Sequence, residues 1–275
     1  MPSPVAIIAG AGRFPLYVAQ EARRQGTPII AMGIQGWADP SLKGQVDAYE
    51  ELAVGQLGRL IERLKSHGVH QAIMAGKVTK EILFDQRTTF DADTLGILRQ
   101  SSDFSVNALL GLIAKRLADD GITLLDSSTF LKDSLSPEGV LTTRLPTAAE
   151  QEDIRIGARA ARALSALDIG QTVVVKQRVI VAVEALEGTD ATIRRAHELA
   201  GQGLVVVKTA SPMQDRRFDL PVIGTETMRT LTHSGVCCLA VEAGSTLLLE
   251  REAVIAQAND AGLCLLGITV PPASS

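Results

Sequence analysis

Short apolar runs alternate with helix-length amphipathic stretches through the first half of the chain. Val5–Ala9 is apolar throughout and ends at Gly10-Ala11-Gly12. Pro15–Gln25 has a helical pattern that stops at Gly26, and Pro28–Met32 predicts the next strand. Val54–His67 places Leu57, Leu60, Ile61 and Leu64 at spacings of three and four, which is one face of a helix. Gly68 ends it. Gln71–Ala75 then predicts a strand, Phe104–Asp119 a helix and Thr123–Leu125 another strand. This alternation predicts a parallel sheet covered on both faces, a Rossmann-like domain over residues 1–131.

Between Leu131 and Glu152 the periodicity lapses into turn chemistry, Lys132-Asp133-Ser134 and Ser136-Pro137-Glu138-Gly139, which predicts a linker over 132–152. Thr147 with Glu150 forms a capping-box pattern for a helix through Ile154, Ala158, Ala161 and Leu164. The second half, 153–275, reads differently. Thr172–Lys176 and Val179–Glu184 are β-branched runs separated by Gln177-Arg178, a hairpin without the favoured Asn-Gly turn. Helices follow over Asp190–Leu199 and Arg251–Ala261, with strands over Leu204–Lys208, Val236–Val241, Leu247–Leu249 and Leu263–Leu266. The fold class is therefore α/β: an N-terminal Rossmann-like parallel-sheet domain and a C-terminal mixed α/β domain.

Composition narrows the function classes. A net charge of −4 and 3% aromatic residues leave neither a basic surface nor a stacking platform for nucleic acid. Cys237, Cys238 and Cys264 have no Cys-x-x-Cys spacing, so they read as reduced thiols of a cytoplasmic protein. No apolar run approaches the ~18 residues a membrane span requires.

Four segments carry candidate chemistry. Gly10 and Gly12 follow the first strand, where glycines let backbone approach a phosphate or simply make a tight turn. A dinucleotide fingerprint would need a third glycine where Pro15 stands and an acid after the second strand, and both are missing. Lys77 follows the strand at Gln71–Ala75, in reach of a phosphate or solvated, and Asp103 starts a helix as ligand or N-cap. Glu184, Glu187 and Asp190 flank a glycine at a strand-to-helix turn. They offer oxygen ligands for a hard cation, with Asp190 alternatively a helix cap. The densest segment is the irregular stretch from Lys208 to Gly224, which holds Asp215, Arg216, Arg217 and Asp219. Carboxylates to hold metal beside arginines to hold oxygens suit a phosphoryl substrate. By itself this reading stops at a metal-assisted phosphohydrolase or a non-catalytic nucleotide-sugar or lipid binder.

Several stretches, in order along both halves, resemble the UDP-2,3-diacylglucosamine pyrophosphatases of lipid A synthesis, in their two-domain form. They are Ile8-Ala9-Gly10-Ala11-Gly12, Gly76-Lys77-Val78, Asp168-Ile169-Gly170-Gln171-Thr172, Glu184-Ala185-Leu186-Glu187-Gly188-Thr189-Asp190, Gln214-Asp215-Arg216-Arg217-Phe218-Asp219-Leu220-Pro221 and Val241-Glu242-Ala243-Gly244. The chain departs from the family at Thr209 and Thr225, where proline is usual, and at Ser102-Asp103, where two acids are usual. The resemblance implies a two-domain clamp that hydrolyses UDP-2,3-diacylglucosamine to lipid X and UMP with Mg²⁺ or another divalent cation. It implies catalytic roles for Asp219, Asp215 and Gln214, and substrate contacts from Gly10, Gly12, Lys77, Thr189, Lys208, Arg216 and Arg217. Asp219, Asp190 and Glu187 are the implied metal ligands. The partner is a lipid-linked nucleotide sugar met at the inner membrane by peripheral contact, with a homodimer as the expected assembly.

Overall fold

The structure, a computed structural model, describes residues 3–78, 89–101, 106–211, 215–218 and 220–271. The chain divides into two compact units. One comprises Met1–Lys132 together with Asp215–Asp219, and the other Asp133–Gln214 and Leu220–Ser275.

The first unit carries β1 (Val5–Ala9), α1 (Phe14–Arg24), β2 (Ile29–Ile34), β3 (Ala48–Leu52), α2 (Leu57–Ser66), β4 (Gln71–Ala75), α3 (Ala92–Gln100), α4 (Val106–Asp119) and β5 (Thr123–Leu124). The five strands form one sheet in the order β3-β2-β1-β4-β5, and every pairing is parallel. β1 is central and fully buried, pairing Val5 with Ile29 on one side and with Gln71 on the other. Its continuous apolar run is what a strand buried on both faces needs. The face of α2 that carries Leu57, Leu60, Ile61 and Leu64 packs into a core with Ile8, Met32 and Leu117. Strand order reverses between β1 and β4, so the crevice at their carboxyl ends is the topological switch point, where open α/β sheets bind ligands. Apolar patterning does not announce β3, because this edge strand, Ala48-Tyr49-Glu50-Glu51-Leu52, buries only its last residue.

The second unit carries β6 (Gly139–Val140), α5 (Ala148–Ala166), β7 (Thr172–Lys176), β8 (Val179–Val183), α6 (Thr189–Ala200), β9 (Leu204–Lys208), β10 (Val222–Ile223), α7 (Thr225–His233), β11 (Val236–Glu242), β12 (Leu247–Leu248), α8 (Arg251–Asp260) and β13 (Cys264–Ile268). A mixed six-stranded sheet runs β6-β13-β11-β9-β7-β8. Its centre, β9, β11 and β13, is parallel, and β6, β7 and β8 add antiparallel pairings. One face packs Val174, Val206, Leu239 and Leu265 against Ile193, Met228 and Val254 of α6, α7 and α8. The other packs Val205 and Val207 against Ile154 of α5.

Two local devices start the second unit. Thr147 Oγ1 accepts the Glu150 amide at 3.2 Å and Glu150 accepts the Thr147 amide at 2.8 Å, closing a reciprocal cap worth about 1 kcal/mol. In the β7–β8 hairpin, Gln177 and Arg178 adopt φ of 49° and 68°. Positive φ at both central positions is the sign of a type I′ turn, which matches the strand twist but strains residues other than glycine. Asp153 of α5 compensates by accepting the Gln177 and Arg178 amides at 3.0 and 2.6 Å.

Candidate active site

In the first unit, the loops that leave β1 and β4 are zipped together. Ala11 donates its amide to Lys77 O at 2.8 Å and Lys77 donates to Ala11 O at 2.9 Å, while the Gly10 amide bonds Ala75 O at 2.8 Å. This approach needs two glycines. A Cβ on Gly10 would come within 2.8 Å of Lys77 O, and one on Gly76 (φ +91°) within 2.7 Å of Ala11 O. Gly12 has φ +89° and open space where a side chain would be. Gly10, Gly12 and Lys77 thus sit together at the switch point, on a rim of close-packed backbone.

The segment 215–218 belongs to the same unit, although it lies between stretches of the second in sequence. The Ser127 amide bonds Arg216 O at 2.9 Å, and Ser127 Oγ lies 2.8 Å from Met74 O and 2.7 Å from Arg217 O. Met74 is in β4, so the segment meets the carboxyl end of the sheet. Arg216 Nε donates to Asp126 Oδ2 at 2.7 Å, and Phe218 packs against the core of Ile8 and Met32. Arg217 turns to Asp215, with bonds of 2.8 Å from Nε and 2.5 Å from Nη2. Those bonds from Arg217 hold the Asp215 carboxyl below the usual range, against the opposing effect of burial. The two arginines expected to hold substrate oxygens therefore each have a carboxylate partner. Asp126 escaped the sequence reading. Its signal was there, an Asp-Ser-Ser just past a short strand, on the edge of the sheet where ligands bind.

In the second unit, Thr189, Lys208 and Glu184 converge at one end of the sheet. β7 begins with Thr172, which pairs with Lys208 at the end of β9; Glu184 follows β8, and Thr189 opens α6. Lys208 Nζ donates to Thr189 Oγ1 at 2.8 Å and to Thr172 Oγ1 at 3.3 Å, and lies 3.9 Å from Glu184 Oε2. Thr189 Oγ1 donates to Glu184 Oε1 at 2.8 Å. Lys208 and Glu184 are both buried. Burial pushes the Glu184 carboxyl up, but the Lys208 charge and the two threonine hydroxyls outweigh it and hold it below its ordinary value.

Glu187 points elsewhere, paired with Arg195 at 2.7 Å and accepting the Ala185 amide at 3.1 Å. Asp190 does not cap α6: Gly188 is the N-cap, and Asp190 sits inside the first turn, past the position from which a carboxylate reaches back to the free amides. Its Oδ1 is buried without a hydrogen-bond partner, as is Glu184 Oε2. No group of three or more His, Cys, Asp or Glu side chains converges to hold a metal among the described residues. Asp219, Gln214 and Asp103 lie outside the described residues. The structure thus brings Gly10, Gly12 and Lys77 together, ties Asp215, Arg216 and Arg217 to the same unit, and gathers Thr189 and Lys208 in the other.

Comparison with known proteins follows the same division. Residues 4–134 match the LpxI N-terminal domain and residues 137–266 the LpxI C-terminal domain. The chain belongs to the LpxI family. A curated relative, the UDP-2,3-diacylglucosamine pyrophosphatase LpxI of Caulobacter vibrioides, is 31% identical over 95% of this chain and 96% of its own length. Among solved structures, the biotin carboxylase domain of a thermophilic 2-oxoglutarate carboxylase matches 63% of this chain and 35% of that one, at 10% identity and a TM-score of 0.29. The biotin carboxylase domain of a single-chain bacterial carboxylase matches 98% and 70%, at 12% identity and the same TM-score of 0.29. Likeness that low carries no argument about this chain, whereas LpxI membership spans both units.

Proposed function

We propose that this chain hydrolyses the pyrophosphate bond of UDP-2,3-diacylglucosamine, releasing 2,3-diacylglucosamine 1-phosphate (lipid X) and UMP, with Mg²⁺ as cofactor. The observation that carries the proposal is the end-to-end match to a relative bearing that activity in its name. The residues of the chain suit the chemistry. A pyrophosphate diester is anionic, and its oxygens gain charge as water attacks phosphorus, so the site needs preorganised cations and donors. Lys208 supplies a buried ammonium held in place by Thr172, Thr189 and Glu184. The Gly10–Gly12 loop supplies close backbone approach at the switch point, with Lys77 beside it.

In the second unit Asp190 suits a hard divalent cation. Its Oδ1 is buried with no hydrogen-bond partner, whereas Glu184 Oε2 faces the Lys208 ammonium and Glu187 would have to give up Arg195 to bind. Mg²⁺ takes one or two carboxylates and completes its shell with phosphate and water, so a three-carboxylate cluster is not required. When bound, it would neutralise charge on the phosphate oxygens. Asp219 is the proposed general base for the attacking water. UMP leaves readily, so no strong general acid is demanded. No helix among the described residues is long and apolar enough to cross a membrane. The lipid-borne substrate is proposed to be met at the membrane periphery, on the cytoplasmic side.

Incubation with UDP-2,3-diacylglucosamine and Mg²⁺ in oxygen-18 water tests the reading by mass spectrometry. UMP should appear, with the label in lipid X, because attack is expected at the phosphorus nearer the sugar. Folded protein that binds the substrate yet releases no UMP with any of several divalent cations would be a binding protein instead, and the proposal would fail.

A further inference from the structure

The segment 215–218 is four residues long and is held at every one of them. Asp215 accepts the amides of Arg217 and Phe218, through its carboxylate at 3.1 Å and its carbonyl at 3.1 Å. Arg216 is held at its backbone by Ser127 and at its side chain by Asp126, Arg217 O lies against Ser127 Oγ, and Phe218, half-buried, packs against the core of the parallel sheet. Three of these anchors come from the turn after β5. In that turn Asp126 does two jobs with two oxygens. Oδ1 accepts the Ser128 amide at 2.7 Å and the Ser128 hydroxyl at 2.6 Å, while Oδ2 accepts Arg216 Nε at 2.7 Å. The Ser128 hydroxyl is in turn 3.3 Å from Arg216 Nη2. The carboxylate is therefore oriented by its own turn before it meets the guanidinium. That preorganisation separates it from an ordinary exposed ion pair, whose two long side chains must both be ordered. Burial works against its charge, but the bonds from Ser128 and Arg216 keep its carboxyl below the usual range.

We propose that Asp126 is a positioning residue: through Arg216 it fixes the segment 215–218 on the carboxyl end of the first unit's sheet, and so fixes the backbone that leads directly into Asp219. Arg216 then serves as a structural fork and not as a cation that contacts substrate. This inference rests on the reading of Asp219 as the base in hydrolysis. Its physical content is that a base misplaced by a fraction of an ångström loses rate while the contacts that bind substrate persist.

The test combines rate and order. In Asp126→Asn the acceptor for Ser128 is retained and the charge facing Arg216 is lost. kcat for UMP release should fall about 10- to 100-fold with KM changed by less than about three-fold, the split expected when a positioned group is displaced. Hydrogen exchange of the Arg217 and Phe218 amides should quicken in the same variant. A folded Asp126→Asn enzyme with wild-type kcat, or one whose 215–218 amides exchange as before, overturns the proposal. So does a loss confined to KM, which would make Arg216 a substrate contact. If Asp126→Asn does not fold, Arg216→Lys keeps the charge, removes Nε and must show the same kcat loss. If the wild type itself releases no UMP, the functional reading fails, and the exchange data alone decide whether Asp126 anchors the segment.

Discussion

Glu50 and Asp219 are single carboxylates whose loss should show in opposite ways, one in stability and one in rate. Glu50 of β3 receives Arg63 Nε at 2.6 Å and His67 Nε2 at 2.7 Å. Those bonds, Arg63 first, bring its carboxyl down to about 2 from an ordinary 4.5. A folded value below the unfolded one means the stabilisation is complete above the unfolded value and is lost as pH falls toward the folded one. Glu50→Gln should therefore melt below the wild type at about pH 5, and the gap should close between about pH 4.5 and 2. Melting curves of both proteins across that range check it. Asp219→Asn should instead lower turnover by at least ~10²-fold while substrate binding and melting temperature stay near wild type, because an amide cannot act as the base. Single-turnover rates measured beside the melting temperature decide it. A folded variant with a near wild-type rate would move the role to Asp215.

At the scale of elements, the β7–β8 hairpin shows a tertiary contact overriding turn chemistry. Its strands are plain in the β-branched runs Thr172–Lys176 and Val179–Val183, but Gln177-Arg178 is a poor pair for positive φ. Asp153, distant in sequence and carried by α5, binds both turn amides and makes the strained conformation the one that satisfies them. Replacing the pair by Gln177→Asn and Arg178→Gly keeps both amides and removes most of the left-handed strain. The double variant should gain about 1 kcal/mol. A urea midpoint at or below the wild type would mean that the Gln177 and Arg178 side chains contribute more than the strain costs. β10 escaped patterning for a different reason: it is two residues long, too short for any period to register.

Across the whole molecule, sequence order and spatial membership part company at one place. Phe218 lies between stretches of the second unit in sequence, yet its ring packs against the Ile8 and Met32 core of the first. Phe218→Ala should therefore loosen the first unit. Because the ring is only partly buried there, the loss should fall below the 3–5 kcal/mol typical of fully buried Phe→Ala, at about 1–3 kcal/mol. Hydrogen exchange locates the effect: amides of β1, β2 and β4 should quicken, and those of β9, β11 and β13 should not. Equal loosening of both sheets would show that Phe218 serves the second unit as much as the first.

The alternation of apolar runs and amphipathic stretches was enough to determine a parallel sheet in the first half, because buried strands and helix faces are written in consecutive residues. β4 and β9 have in the structure the bounds the pattern predicts, and the Thr147–Glu150 cap is where its spacing places it. The motifs also determined the family, since Glu-Gly-Thr-Asp and Gln-Asp-x-Arg-Phe-Asp are contiguous strings. Partnership was not legible. That Arg216 meets Asp126, that Asp126 matters at all, that Glu184 rather than Glu187 faces Lys208, and that Asp190 is no cap all depend on which strand ends lie side by side. Electrostatic pairing acts over a few ångströms of space, whatever the distance along the chain. The residues that pair here are up to 90 positions apart, so only the folded sheet could choose among the candidate charges.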